Sequence, residues 1–72
     1  MIEVQIKGEY IQLNQFLKKE NIVMSGGEAK MLIASGTVFV NDTEAFEIRK
    51  KLRDGDRVRI ENVGEYLIKA ED

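Results

Sequence analysis

The spacing of apolar residues changes from that of a strand to that of a helix near the start of the chain. Apolar and polar residues alternate over positions 2–7, which predicts a half-buried β-strand that ends at a glycine. Leu13, Phe16 and Leu17 then fall at i, i+3 and i+4 and form one apolar stripe. This spacing predicts a short helix over residues 13–19.

Residues 25–41 carry the clearest local signals. Ser25 and Glu28 have the spacing of a capping box, in which the serine oxygen accepts from an early helix amide and the glutamate reaches back to the cap. A second helical stripe follows, formed by Ala29, Leu32 and Ile33. Gly36 is suited to the left-handed conformation that ends many helices. These residues predict a capped second helix.

The second helix leads into a hairpin. Residues 37–40 alternate, with Val38 and Val40 on one side, which predicts a strand. Asn41 and Asp42 are a candidate hairpin turn, and a short return strand is expected near residues 44–46.

The last third of the chain contains two more strands. Gly55 lies in a predicted turn over residues 53–56, and a strand with alternating Val58 and Ile60 follows it. After a turn at residues 62–64, the final strand is expected to pair with the first. The fold class predicted is α+β: two short helices packed on a small, mostly antiparallel sheet, in a single domain that spans residues 1–72.

Composition limits the chemistry that this domain can perform. The 72 residues contain no cysteine and no histidine, which excludes disulfides, the usual zinc sites and the usual catalytic bases and thiol nucleophiles. We therefore expect neither an enzyme nor a cofactor. No apolar run approaches the roughly 20 residues of a membrane span, and the N-terminus lacks the plan of a signal peptide. A cytoplasmic protein with no membrane partner is the expectation.

Charge is distributed unevenly although the net charge is only −2. Six of the eleven basic residues lie between positions 49 and 59, while most of the acidic residues lie elsewhere. This separation allows a basic face on an acidic molecule. A solvated strand with alternating charge is the simpler explanation.

Helical projection places polar and small residues on the outer faces of both helices. On the first helix, Asn14, Gln15 and Lys18 are expected to face water. On the second, Gly27, Met31 and Ala34 turn outward with Lys30 at the side. A partner surface and a lightly charged solvent face are equally compatible with this projection.

The order of these motifs resembles the S-four domain, the alpha-L RNA-binding motif. The resemblance covers about residues 9–61 and is closest to the stand-alone YaaA/YbcJ-type branch. It rests on three segments taken together: Leu13-Asn14-x-x-Leu17, Ser25-x-x-x-Ala29-x-x-Leu32-Ile33-x-x-Gly36-x-Val38-x-Val40-Asn41, and Gly55-Asp56-x-Val58.

The resemblance implies a non-catalytic module that binds structured RNA, typically ribosomal or transfer RNA, by phosphate neutralisation and shape. A ribosomal subunit is a further implied partner, and we expect a monomer. The resemblance implies an RNA-binding helix face composed of Asn14, Gln15, Lys18, Gly26, Gly27 and Lys30. It also implies a basic segment after the hairpin, composed of Arg49, Lys50, Lys51 and Arg53.

The basic segment departs from the family pattern at two positions. Where the family has two arginines, this chain has Glu47 and Ile48, and the positive charge begins at Arg49 and Lys50. Two interpretations are open: the segment is shifted in register, or this member binds RNA more weakly.

Two other functions compete with RNA binding. The acidic balance and Met31 fit a protein-interaction module that docks on a ribosomal or replication protein. Gly26 and Gly27 at a helix start also fit an anion or nucleotide site, although no Walker lysine-serine pair or dinucleotide fingerprint accompanies them.

Overall fold

A computed structural model describes residues 1–71. Asp72, the last residue of the predicted domain, lies outside the described residues. Two helices and seven strands follow one another in the order β1 (Ile2–Lys7), β2 (Ile11–Gln12), α1 (Leu13–Lys19), α2 (Gly26–Ala34), β3 (Val38–Val40), β4 (Thr43–Glu44), β5 (Lys51–Leu52), β6 (Arg57–Ile60) and β7 (Gly64–Glu71).

Five of the strands form one mixed sheet in the order β1-β7-β6-β3-β4. Strands β1 and β7 are parallel, and the other neighbours in this sheet are antiparallel. The predicted α+β class with a mostly antiparallel sheet is therefore confirmed, as is the pairing of the last strand with the first. A second, two-stranded sheet joins β2 to β5. It was not predicted, because strands of two residues carry no periodic signal.

One apolar core lies between the helices and the large sheet. The predicted stripe of α1 is fully buried, and Phe16 packs edge-to-face on Tyr66 of β7 with ring centroids 5.3 Å apart. In the second stripe Ala29 and Ile33 are buried, whereas Leu32 is half-buried at the margin of the core. Ile2 was predicted on a buried face but is 54% exposed, because it lies at the start of the edge strand β1.

The turns have the backbone that their residues predict. Asn41 and Asp42 have φ values of 51° and 66°, and Val40 pairs with Thr43, so these two residues form a tight hairpin turn. The Asn41 side chain also accepts from the Arg57 amide at 2.9 Å and donates to Asp56 Oδ1 at 3.0 Å. The β3–β4 turn is thereby attached to the turn before β6.

The ends of the helices follow the sequence with one correction. Ser25 Oγ accepts from the Glu28 amide at 3.2 Å, as predicted for an N-cap. Glu28 Oε1, however, accepts from the amide of Met24 at 3.0 Å, one residue before the cap. The glutamate therefore attaches the connector between the helices to α2 and does not close the capping box on Ser25.

Within residues 1–71, neither helix has the length and apolar character that crossing a bilayer requires.

Candidate nucleic-acid interface

The basic segment is joined by hydrogen bonds to the start of α1. The amide of Leu13 donates to the carbonyl of Lys50 at 2.8 Å, and the amide of Asn14 donates to the carbonyl of Ile48 at 3.0 Å. The first amides of a helix have no partner inside the helix, so these two carbonyls satisfy donors that would otherwise need water. Next to them, Gln12 of β2 pairs with Lys51 of β5. Two regions distant in sequence therefore form one continuous surface.

Helix α2 contacts the same region from its other side. A cavity of about 260 Å³ lies between α2 and the chain just before the basic segment. Its walls are formed by Lys30, Ile33, Ala34, Phe46 and Ile48. Since the two helices also pack on each other, the helix face and the basic segment lie side by side.

Eight of the ten predicted site residues are exposed: Gln15, Lys18, Gly26, Gly27, Lys30, Arg49, Lys51 and Arg53. The other two, Asn14 and Lys50, are half-buried. Asn14 differs from the projection that placed it in water. It is half-buried, and its Oδ1 is shielded and has no hydrogen-bond partner among the described residues. The carbonyl of Ile48 accepts from the Asn14 amide, so the chain there lies against the first turn of α1.

The cations of the surface are not paired with carboxylates in the part of the chain that the structure describes. There the one ion pair joins Arg57 of β6 to Asp42 of the β3–β4 turn at 3.1 Å, and both residues are remote in sequence from the helix face. Lys18, Lys30 and the basic segment are therefore available to an anionic partner in spite of the net charge of −2.

Neither glycine of the helix face is required by the fold. A Cβ built on Gly26 would meet nothing within 4 Å, and one built on Gly27 would meet only Ser25 Oγ at 3.9 Å. Both residues are helical and outside the positive-φ region, in contrast to Gly55 at φ 89°. Glycine weakens a helix by up to about 1 kcal/mol relative to alanine, so two adjacent glycines here lack a structural explanation.

Ile48 and Glu47, which replace the arginines of the family pattern, have different environments. Ile48 is half-buried and packs against the core, so this position has an apolar role in holding the chain on α1. Glu47 is exposed. A negative charge is therefore present beside the basic segment without being needed for packing.

Tyr10 is a component of this surface that sequence reasoning missed. Lys51 Nζ lies 4.8 Å from the centre of its ring, and the Arg53 guanidinium lies 5.5 Å from it. The cation–π attraction holds these two long side chains beside the ring. The alternation of Lys51 and Arg53 around buried Leu52 was the available signal that both cations share one side of the chain.

Within residues 1–71, no three side chains suited to metal binding come together. Asp54 and Asp56, the carboxylates that flank Gly55, accept backbone amides: Asp54 from Ala70 at 2.9 Å and Asp56 from Arg53 at 2.7 Å. Their hydrogen bonds are those of turn residues.

Two helices packed on a mostly antiparallel sheet are consistent with an S4 domain, and comparison with known proteins agrees. The family model described as S4 domain matches residues 4–69. The chain therefore belongs to this family, and the predicted membership is confirmed.

Two curated proteins are similar to the chain. It is 38% identical over 65 residues to the probable ribosome maturation protein RlbA of Bacillus subtilis (strain 168), a match that covers 90% of this chain and 92% of that protein. It is 34% identical over 58 residues to an uncharacterized RNA pseudouridine synthase of Aquifex aeolicus (strain VF5). The second match covers 81% of this chain but only 18% of the synthase, so it carries no argument for enzyme activity here.

Proposed function

We propose that this chain is a non-catalytic RNA-binding protein that recognises structured RNA, in the first place ribosomal RNA. The observation that carries the proposal is the hydrogen-bonded junction of α1 with the basic segment, which assembles cations from two distant parts of the sequence. Membership of the S-four family supports RNA as the ligand, and the name of the Bacillus relative supports a ribosome-related role. A cytoplasmic monomer with no cofactor is part of the same proposal.

Recognition in this proposal uses charge and shape. Lys18, Lys30 and the basic segment neutralise phosphates of the RNA. The counterions that were bound to these phosphates are then released into solution. An A-form helix hides its base edges in a deep groove, so a small protein contacts the phosphate backbone and the shallow groove.

The two glycines at the start of α2 add a backbone contact. The first amides of a helix point outward and carry a partial positive charge that attracts phosphate. Without side chains, Gly26 and Gly27 let a phosphate approach these amides closely. This contact gives the glycines the purpose that packing does not supply.

Charge reversal of both helix lysines tests the proposal. The Lys18→Glu/Lys30→Glu variant is expected to lose binding to a fluorescent ribosomal RNA fragment while its circular dichroism and unfolding midpoint stay unchanged, because both side chains are exposed. The control is Arg57→Glu/Lys69→Glu, which changes the net charge equally on exposed strand positions. Because Arg57→Glu also breaks the ion pair with Asp42, its unfolding midpoint is measured as well. The wild-type affinity should fall steeply with salt. Binding retained by the helix variant would place the site elsewhere.

Protein docking is the second candidate function. Met31 on α2 is 74% exposed and Phe46 is 77% exposed, and Phe46 lines the cavity against α2. Exposed apolar side chains around a groove are typical of protein-interaction sites.

An anion or nucleotide site at Gly26 and Gly27 is the third candidate, and titration with mononucleotides tests it directly.

A further inference from the structure

A second cleft lies between β1 and α1, beside the helix face. It has a volume of about 480 Å³, within the range of roughly 300–1,000 Å³ typical of small-ligand sites. Its polar walls come from Gln5, Lys7, Tyr10, Gln15, Lys19 and Glu71. Gln15 belongs to the predicted helix face, and Tyr10 contacts Lys51 and Arg53 of the basic segment. The cleft therefore continues the proposed RNA surface onto β1.

We propose that this cleft binds a single unpaired nucleotide, next to the structured RNA that the helix face contacts. The inference rests on the proposed function and extends it. Tyr10 is 39% exposed and lines the cleft, while Lys51 and Arg53 lie over its ring. In this proposal a base that has left its own helix stacks on the part of the ring that faces the cleft. A base inside a duplex has no free face, so this subsite discriminates in favour of unpaired nucleotides.

The other walls of the cleft complement the rest of a nucleotide. Lys7 and Lys19 are exposed cations that attract the phosphate. The side-chain amides of Gln5 and Gln15 both donate and accept, as the edge of a base does. The carboxylate of Glu71 repels phosphate but accepts from an exocyclic amine or a ribose hydroxyl. This carboxylate favours a nucleotide over an acidic peptide.

Single-stranded RNA tests the subsite directly. Hexaadenylate is titrated into ¹⁵N-labelled protein at low salt, and amide shifts are followed by NMR. We expect the largest shifts at residues 5–7, 10 and 15–19. Tyr10→Leu should weaken binding by about fivefold or more, whereas Tyr10→Phe, which keeps the ring, should bind as the wild type does. The dispersion of each spectrum reports that the variant is folded.

Charge is tested in the same titration. Lys7→Gln/Lys19→Gln should weaken hexaadenylate binding, while Arg57→Gln, which removes a cation outside the cleft, should not. Shifts confined to α2 and residues 46–50, or full binding by Tyr10→Leu, would overturn the subsite. Equal shifts with a polyglutamate peptide would show a general anion site and would also overturn it.

A parallel titration with a blunt-ended RNA duplex, which contains no unpaired nucleotide, separates the two proposals. If the duplex binds the helix face and hexaadenylate leaves the cleft unperturbed, the unpaired-nucleotide subsite is wrong and the proposed function stands. If hexaadenylate occupies the cleft and neither the duplex nor a ribosomal RNA fragment perturbs the helix face, recognition of structured RNA fails and the subsite stands.

Discussion

The amide of Asn14 donates to the carbonyl oxygen of Ile48 at 3.0 Å, and this bond attaches the chain after the hairpin to the first turn of α1. Ile48 contributes its side chain to the core margin at the same point. The two contacts hold Arg49 and Lys50 beside the helix face. A residue that replaces a family arginine therefore positions the cations that follow it.

Glu47→Lys is predicted to tighten RNA binding. Glu47 is exposed beside the basic segment, so the change replaces repulsion of phosphate by attraction. An interaction of about 1 kcal/mol between charges near 4 Å in water corresponds to about fivefold in affinity. Fluorescence anisotropy with a ribosomal RNA fragment measures this gain in affinity. The control is Glu61→Lys, which makes the same charge change at an exposed residue directly after β6. Equal effects of the two variants would mean that only net charge matters.

Ile48→Arg is predicted to destabilise the domain, although it adds a positive charge next to the basic segment as Glu47→Lys does. The half-buried Ile48 side chain packs on the core, so a guanidinium at this position loses apolar contact and is partly removed from water. We expect a loss of about 1–3 kcal/mol in the free energy of unfolding, measured by urea denaturation. Ile48→Val keeps the apolar contact and should cost about 1 kcal/mol or less. An Ile48→Arg variant with wild-type stability would show that the position tolerates the family arginine.

Ser25→Ala is predicted to destabilise the domain without touching the cations of the site. The substitution removes the oxygen that accepts from Glu28 and leaves that early helix amide without its cap. Loss of an N-cap costs about 1 kcal/mol, or about 4–8 °C in melting temperature for a domain of this size. Ser25→Asp preserves an acceptor and should melt near the wild-type temperature. If both variants melt alike, the cap oxygen contributes nothing measurable.

The sequence predicted most of the elements because each has a local cause. The capped start of α2, the positive-φ turn at Asn41 and Asp42, and the alternating strands all follow from neighbouring residues. The short β2–β5 ladder has no such cause, since it forms only when the fold brings distant segments together. The same limit explains the site. Helical projection identified Gln15 and Lys18 correctly as exposed, but the partial burial of Asn14 depends on Ile48, far along the chain.

Tyr10 shows the other limit of sequence reading. A single aromatic residue before a two-residue strand has no periodic pattern, so nothing local indicates that its ring will lie beside Lys51 and Arg53. The pairing follows from the register of the β2–β5 ladder, in which Ile11 lies opposite Leu52. Register between distant short strands is a tertiary property.

Met31→Ser with Phe46→Ser is predicted to leave RNA affinity within about twofold of the wild type, because neither change alters charge and phosphate contacts dominate affinity. Both side chains are exposed, so the fold should survive. Affinity capture from a nuclease-treated lysate provides the opposite test. A protein held by the wild type after nuclease treatment and lost by this variant would favour protein docking as the function.

Gly26→Ala is predicted to separate stability from RNA binding. A Cβ at Gly26 has open space, and alanine is the better helix former, so the free energy of unfolding should rise by about 0.5 kcal/mol. The same methyl group stands where a phosphate would approach the helix amides, so RNA affinity should fall. Gly55→Ala is the contrasting control. Gly55 has a φ of 89°, which alanine adopts only at a cost, so this variant should lose about 1–2 kcal/mol of stability without a direct effect on RNA binding. Urea denaturation and anisotropy titration on the same samples measure both quantities. A Gly26→Ala protein that binds RNA as tightly as the wild type would remove the backbone contact from the proposed mechanism, while Lys18 and Lys30 would remain in it.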